Sequence, residues 1–208
     1  TGFNHIYLYC EGDLLQLTEG EWQVDSIESV DELGGTFFFT GTKDGHTEKH
    51  LYKMSLEGEG LEKITSEIGI HNVSINVKAS LFVDVFNSLS SPPTVVLRSL
   101  GNNYAIEAAI HEPADERIDR YQLKPPEIFQ LKLEDGTELS GALYYPNSGD
   151  FKSPYPTVLS VYGGPHVQLV TNSWMMTASL RAQYLREKGY LVVVVDSRGS
   201  SRRGLKFE

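Results

Sequence analysis

Cysteine is nearly absent. Cys10 is the single one among 208 residues, which excludes an internal disulfide and fits a reducing compartment. Long apolar runs are missing too. The longest, Tyr190 to Val195, has the length of a strand and falls far short of the ~18 residues a membrane helix needs, so no membrane segment is expected. Thr1 to Asp13 has no basic start followed by an apolar stretch, and no signal peptide is read there. Basic charge is in short supply: 18 Lys and Arg stand against 28 Asp and Glu, a net charge of −10. Arg202-Arg203 is too brief to form a basic patch. Nucleic acid is therefore not an expected partner, because phosphate binding needs clustered cations.

Several chemical motifs are also wanting. Neither Gly34-Gly35 nor Gly163-Gly164 begins a Gly-x-Gly-x-x-Gly or Gly-Lys-Ser/Thr pattern, so neither is a phosphate loop. His46 and His50 are four apart, but they fall in a loop and a strand rather than on one helix face. With one cysteine and no His-Glu motif, no metal site and no cofactor are expected. No Gly-x-Ser-x-Gly pentapeptide occurs, the tight strand-to-helix turn on which an activated serine sits. Asp196-Ser197-Arg198-Gly199-Ser200-Ser201 therefore reads as an Asp-Arg turn that ties a loop together, not as a nucleophile.

What is present is an ordinary globular composition, 40% hydrophobic and 22% charged. The acidity is uneven: residues 1–70 hold 14 Asp or Glu and four Lys, whereas residues 71–208 hold 14 acidic and 14 basic residues. Such a step suggests two units, but the plainer reading, and the favoured one, is a solvated acidic surface that aids solubility. Asn72-Val73-Ser74 is a sequon, relevant only to a secreted chain.

The first half repeats itself. His5-Ile6-Tyr7-Leu8-Tyr9 returns as His50-Leu51-Tyr52-Lys53-Met54, Leu17-Thr18-Glu19 as Ile64-Thr65-Ser66, and Phe37 to Gly41 as Leu81 to Val85, at offsets of 45, 47 and 44 residues. Short β-branched or aromatic runs alternate with turns such as Glu11-Gly12-Asp13, Lys43-Asp44-Gly45 and Glu57-Gly58-Glu59-Gly60. Four short strands in ~40–50 residues is the period of a β-propeller blade. About 95 residues supply two blades, with a further strand at Thr94 to Leu100. A propeller closes with ~4–8 blades, so the remaining blades are expected outside this sequence.

The second half reads as the beginning of an α/β domain. A polar stretch after Glu112, ending at Lys124-Pro125-Pro126, serves as linker. Glu127 to Leu133 and Glu138 to Tyr145 flank an Asp135-Gly136 turn, a strong hairpin signal. Thr157 to Tyr162 is a continuous apolar run suited to a strand buried on both faces. A helix is expected from Trp174 to Lys188, stopped by Gly189, and a second apolar strand over Tyr190 to Val195. Strand, helix, strand implies a right-handed crossover and a parallel pair, with Tyr162 to Pro165 and Asp196 to Ser201 on the ligand-binding edge. A tyrosine at the end of such a strand either donates its hydroxyl to a developing oxyanion or caps the sheet edge as a core residue. The residues alone leave both readings of Tyr162 open.

Pro125 to Phe129, Pro156 to Pro165 with its Val-Tyr-Gly-Gly-Pro, Val167 to Val170, Gly189 to Asp196, and Arg203-Gly204-Leu205-Lys206-Phe207-Glu208 resemble the catalytic-domain entry of the dipeptidyl peptidase branch of the prolyl oligopeptidase family. Within it they are most similar to the cytosolic subgroup, dipeptidyl peptidases 8 and 9. Gly20-Glu21-Trp22 and Gly41 to Asp44 resemble that family's last propeller blades. The sequence departs at His166, where relatives carry Gln, at Ser201, where they carry Cys, and over Trp174 to Arg181.

The resemblance implies a mixed fold: terminal blades of a β-propeller over residues 1–126, incomplete, followed by the incomplete start of an α/β-hydrolase domain over 127–208. It implies a cytoplasmic serine exopeptidase, homodimeric when intact, that releases Xaa-Pro or Xaa-Ala dipeptides from peptide N-termini. Tyr162 matches the family's oxyanion-hole tyrosine, which favours the first of its two readings. The family's nucleophilic serine, Asp and His lie beyond Glu208, and its substrate-amine glutamates precede Thr1. No substrate-binding residue is therefore assigned within the chain, and the isolated 208 residues are expected to be inactive. A non-catalytic propeller and hydrolase-like module for protein interaction is the rival.

Overall fold

A histidine and a threonine recur at matching positions and close matching hairpins. In the computed structural model, which describes residues 2–147 and 151–208, β1 (Tyr7–Cys10) and β2 (Asp13–Gln16) form a two-stranded antiparallel pair. The Thr18 hydroxyl accepts the Ile6 amide at 2.9 Å and lies 3.1 Å from His5 Nδ1. Forty-five residues after His5 and forty-seven after Thr18, the Thr65 hydroxyl accepts the Leu51 amide at 3.1 Å and lies 3.1 Å from His50 Nδ1. The repeat seen in the sequence is thus a repeated clasp, once beside the β1–β2 pair and once in the sheet that follows.

Two four-stranded antiparallel meanders follow. The first has the order β3-β4-β5-β6, from Val24–Asp31, Thr36–Gly41, His50–Ser55 and Glu62–Lys63. The second has β7-β8-β9-β10, from Ile70–Asn76, Leu81–Asn87, Thr94–Ser99 and Ile106–His111. The phenylalanine run in β4 follows from packing on both faces. Phe37 and Phe39 point one way into a core with Leu17, Val24, Tyr52 and Met54. Phe38 points the other way, into a core with Leu51, Ile64 and Phe82 of the next sheet. Strand side chains alternate, so a sheet held between two neighbours needs apolar residues at consecutive positions.

The second unit is a mixed sheet. After the short helix α1 (Glu116–Tyr121), β11 (Glu127–Lys132), β12 (Glu138–Tyr144), β13 (Thr157–Ser160) and β14 (Leu191–Val195) assemble in the order β11-β12-β14-β13. The Asp135-Gly136 hairpin forms as expected, with Gly136 at φ 84°. β13 and β14 run parallel, the remaining pairs antiparallel. Ala142, Tyr144, Val170, Met176, Ala182 and Val192 form its core, and Leu89, in the loop between β8 and β9, packs against it. Among the described residues, no helix is long and apolar enough to cross a membrane.

Four expectations are corrected. The repeat unit does not coincide with a sheet: the described residues up to His111 hold two four-stranded sheets plus the β1–β2 pair, and the strand at Thr94 is followed by β10. The stretch after Glu112 contains α1, capped by Asp115, whose carboxylate accepts the Arg117 amide at 2.9 Å. The strand expected over Thr157 to Tyr162 ends at Ser160 and is not buried on both faces: Leu159 is 63% exposed, and β13 stands at the edge of its sheet. The helix expected from Trp174 to Lys188 is two pieces, α2 (Trp174–Thr177) and α3 (Leu180–Glu187). Thr177 breaks it. Its hydroxyl donates to the Leu89 carbonyl at 2.6 Å, and its own carbonyl accepts the Gln183 side chain at 2.7 Å.

A buried ionic cluster lies inside the second meander. Asp84 and His71 are fully buried, and Asp84 lies 3.0 Å from His71 Nδ1 while accepting Arg98 Nε at 3.0 Å. Arg98 also donates to Glu67 at 2.7 Å, and the Glu67 carbonyl lies 2.8 Å from His71 Nε2. Removing one member of such a cluster leaves the others uncompensated in low dielectric. Asp84→Ala is expected to cost about 3–5 kcal/mol in urea unfolding of the 208-residue chain. A loss under about 1 kcal/mol would mean that the cluster behaves like a surface pair.

Candidate functional site

The C-terminal ends of the parallel strands β13 and β14 carry two loops, and the loops are laced together. After β13 the chain turns at Gly163, with φ 71°, a left-handed conformation that suits glycine. The Tyr162 ring lies over Gly164 so closely that a β-carbon there would stand 2.8 Å from the ring. Tyr162 is 56% exposed, so its phenol is open to solvent beside the turn. His166, also left-handed at φ 63°, donates its amide to the Gly199 carbonyl at 2.7 Å. Gly199 packs against Pro165.

Asp196, at the end of β14, is buried and does most of the tying. Its two oxygens accept the Leu169 and Val170 amides at 2.7 and 3.0 Å. Burial pushes its carboxyl above the usual range, while these two amides and Arg203 act in the opposite direction. Arg198 does not join Asp196. It reaches Asp135 and donates to Thr137 Oγ1 at 2.8 Å in the β11–β12 turn. The expected Asp-Arg turn is thus two separate ties. The Ser200 hydroxyl is occupied by the Ser197 carbonyl at 2.6 Å.

The same loops form a polar seam with the sheets of the first half. Gln168 Nε2 donates to the His46 carbonyl at 2.9 Å, and the Asn172 amide to the Thr47 carbonyl at 2.8 Å. The Asn172 side chain donates to Glu48 at 3.1 Å and accepts the Leu89 amide at 3.1 Å, while the Trp174 amide donates to Asn87 at 2.8 Å. Glu48 also lies 2.9 Å from His50 Nε2, linking the seam to the repeated clasp. His46 and His50, close in sequence, are held by different partners: His46 Nε2 lies 2.6 Å from Ser140 Oγ and 3.4 Å from Arg203. Among the described residues, no group of three His, Cys, Asp or Glu side chains is placed to hold a metal ion.

Sequence reasoning picked out Tyr162 and the two loops, and the structure brings them to one edge. It missed His46, Asn172 and Arg203 as seam residues. No local spacing marks them, because the partners that tie them into the seam lie 83 to 157 residues away.

Comparison with known proteins covers the first half and extends beyond it. Residues 1–93 match the family model described as the dipeptidyl peptidase IV (DPP IV) N-terminal region. The chain belongs to the dipeptidyl peptidase family. It is 36% identical over 207 residues to dipeptidyl peptidase 8 of Homo sapiens, across 93% of this chain and 23% of that protein. The Mus musculus protein of the same name is 35% identical over the same span. Probable dipeptidyl-aminopeptidase B of Neosartorya fischeri is 30% identical over 213 residues, across 99% of this chain and 23% of that protein. The chain thus spans 23% of the length of these relatives.

The seam carries a pH dependence. Burial, then the charges of Arg203 and Arg202, hold the His46 imidazole at about 4, below its ordinary 6.5. A group whose folded value is depressed contributes stability that is complete above its unfolded value and is lost as pH falls through the folded one. The urea midpoint of the wild-type chain is therefore expected to fall more steeply between pH 6.5 and about 4 than that of His46→Gln. Parallel curves for the two proteins across that window would show that His46 is not strained in this way.

Proposed function

We propose that these residues belong to a serine-type dipeptidyl peptidase, in which the sheets of 1–126 are terminal blades of a β-propeller and 127–208 begins an α/β-hydrolase domain. The order β11-β12-β14-β13, with one parallel pair joined through α2 and α3, supports the hydrolase reading. Meanders of four short antiparallel strands that share aromatic cores support the blades. In this reading the protein acts in the cytoplasm, as a homodimer, and takes peptides with Pro or Ala at the second position. It releases an N-terminal Xaa-Pro or Xaa-Ala dipeptide through an acyl-enzyme. The nucleophilic serine comes from outside these residues, since no Gly-x-Ser-x-Gly elbow occurs in the sequence.

The observation that carries the proposal is Tyr162 at the end of a parallel strand, above a glycine turn and open to solvent. A phenol there donates a hydrogen bond to the oxygen that becomes negative when the peptide carbonyl is attacked. The ground-state carbonyl carries less charge, so the bond strengthens in the transition state and acts mainly on kcat. Gly163 supplies the turn, Gly164 makes room for the ring, and Asp196 anchors the segment that follows.

In the full-length protein, Tyr162→Phe is expected to lower kcat on a Gly-Pro chromogenic substrate by about 10²–10³, with KM nearly unchanged. Wild-type turnover in that variant would refute the assignment. The purified 208-residue chain is expected to leave the same substrate intact.

A further inference from the structure

The loop after β14 turns back to the first four-stranded sheet and is gripped there by Arg202. The Arg202 guanidinium donates to Asp25 Oδ2 at 2.5 Å and to the Glu48 carbonyl at 3.3 Å. Asp25 lies on β3, 177 residues away in sequence. The two side chains are only 15% and 23% exposed, so solvent screens them less than a surface pair. Arg202 is also left-handed, with φ 74°, a conformation a non-glycine residue keeps only where its surroundings over-determine it.

From Arg202 the contacts lead to the Tyr162 turn. The Arg202 amide donates to Glu208 Oε1 at 2.9 Å, and Glu208 Oε2 lies 3.4 Å from His166 Nδ1. His166 is 74% exposed on its side chain, so that pair alone is weak. The firmer links are in the backbone: the Gly199 amide donates to the Phe207 carbonyl at 2.9 Å, and the Gly199 carbonyl accepts the His166 amide at 2.7 Å. One loop therefore holds both the grip on β3 and the carbonyl that fixes the end of the 163–166 turn.

We propose that Arg202 is a positioning residue, transmitting the location of the first four-stranded sheet through Asp25 to the turn that aims the Tyr162 hydroxyl. The inference rests on the oxyanion role proposed above for Tyr162. It adds a dependence of that donor on a blade residue that does not touch it, so that a shift of the sheet against the loop would detune catalysis while leaving substrate binding alone.

The test is a set of kcat and KM measurements on the full-length protein with a Gly-Pro chromogenic substrate. Asp25→Ala and Arg202→Ala are each expected to lower kcat about tenfold with KM within about twofold, because small misplacements of a catalytic group act on the barrier. The double variant should be no slower than either single one, Arg202→Lys should recover part of the rate, and neither change should slow Tyr162→Phe further. Asp25→Asn, which keeps the volume of the side chain, carries the test if an alanine variant does not fold. A slow Tyr162→Phe beside wild-type kcat in Asp25→Ala, Asp25→Asn and Arg202→Ala would overturn the positioning role alone. So would losses that add to that of Tyr162→Phe. Wild-type rates in Tyr162→Phe would overturn the oxyanion reading, and the positioning role with it.

Discussion

The polar seam between the sheets of the first half and the loops of the second constrains more of this structure than any other feature. It is built from hydrogen bonds, and among the described residues Leu89 of the second meander packs against the core of the mixed sheet. Hydrogen bonds of this kind contribute about 0.5–1.5 kcal/mol each in net terms, yet cost more when one partner is left unpaired. A seam of this composition therefore specifies geometry better than it supplies affinity. Asn172 shows the principle, since its amide, its side-chain nitrogen and its side-chain oxygen each engage a different residue of the first half. A small shift breaks all of them together.

The candidate site inherits its shape from that seam. The turn after Tyr162 has no large core of its own; it is held by Asp196 accepting two amides and by a backbone bond to Gly199. The loop that supplies Gly199 is in turn anchored through Arg202 and Arg203 to residues of the first half. Arg203 shares a cluster with His46, whose imidazole is held low by burial and by the neighbouring guanidinium groups. Arg202 thus pairs with an acidic residue of the first half, Asp25, which gives one of the acidic groups there a structural use beyond solubility.

The sequence revealed the elements that local chemistry decides. The hairpins follow from Asp-Gly and Glu-Gly turns, the β13–β14 crossover from apolar runs around a helical stretch, and the repeated clasp from His and Thr at a matching offset. It misled where neighbours decide. An apolar run reads as buried on both faces, but β13 is paired on one side by β14 and stands at a sheet edge. The 174–188 stretch reads as one helix, but Thr177 is drawn away by Leu89 and Gln183. β10 escaped notice because all six of its residues are exposed and it lacks the alternation that marks a half-buried strand. Of the site, Tyr162, its glycines and the tying role of Asp196 were legible, whereas Arg202 and the partners of Asp196 were not, because those contacts lie far along the chain.

Native-state hydrogen exchange on the 208-residue chain tests most directly whether the seam holds the two halves as one structure. The relevant amides are those of Leu89, Asn172 and Trp174, which donate across it. If the seam is the constraint, these amides exchange with the same opening free energy and the same denaturant dependence as amides inside β4, β5 and β12. If they exchange freely while those strands stay protected, the halves fold independently, and the loops around Tyr162 owe their arrangement to something else.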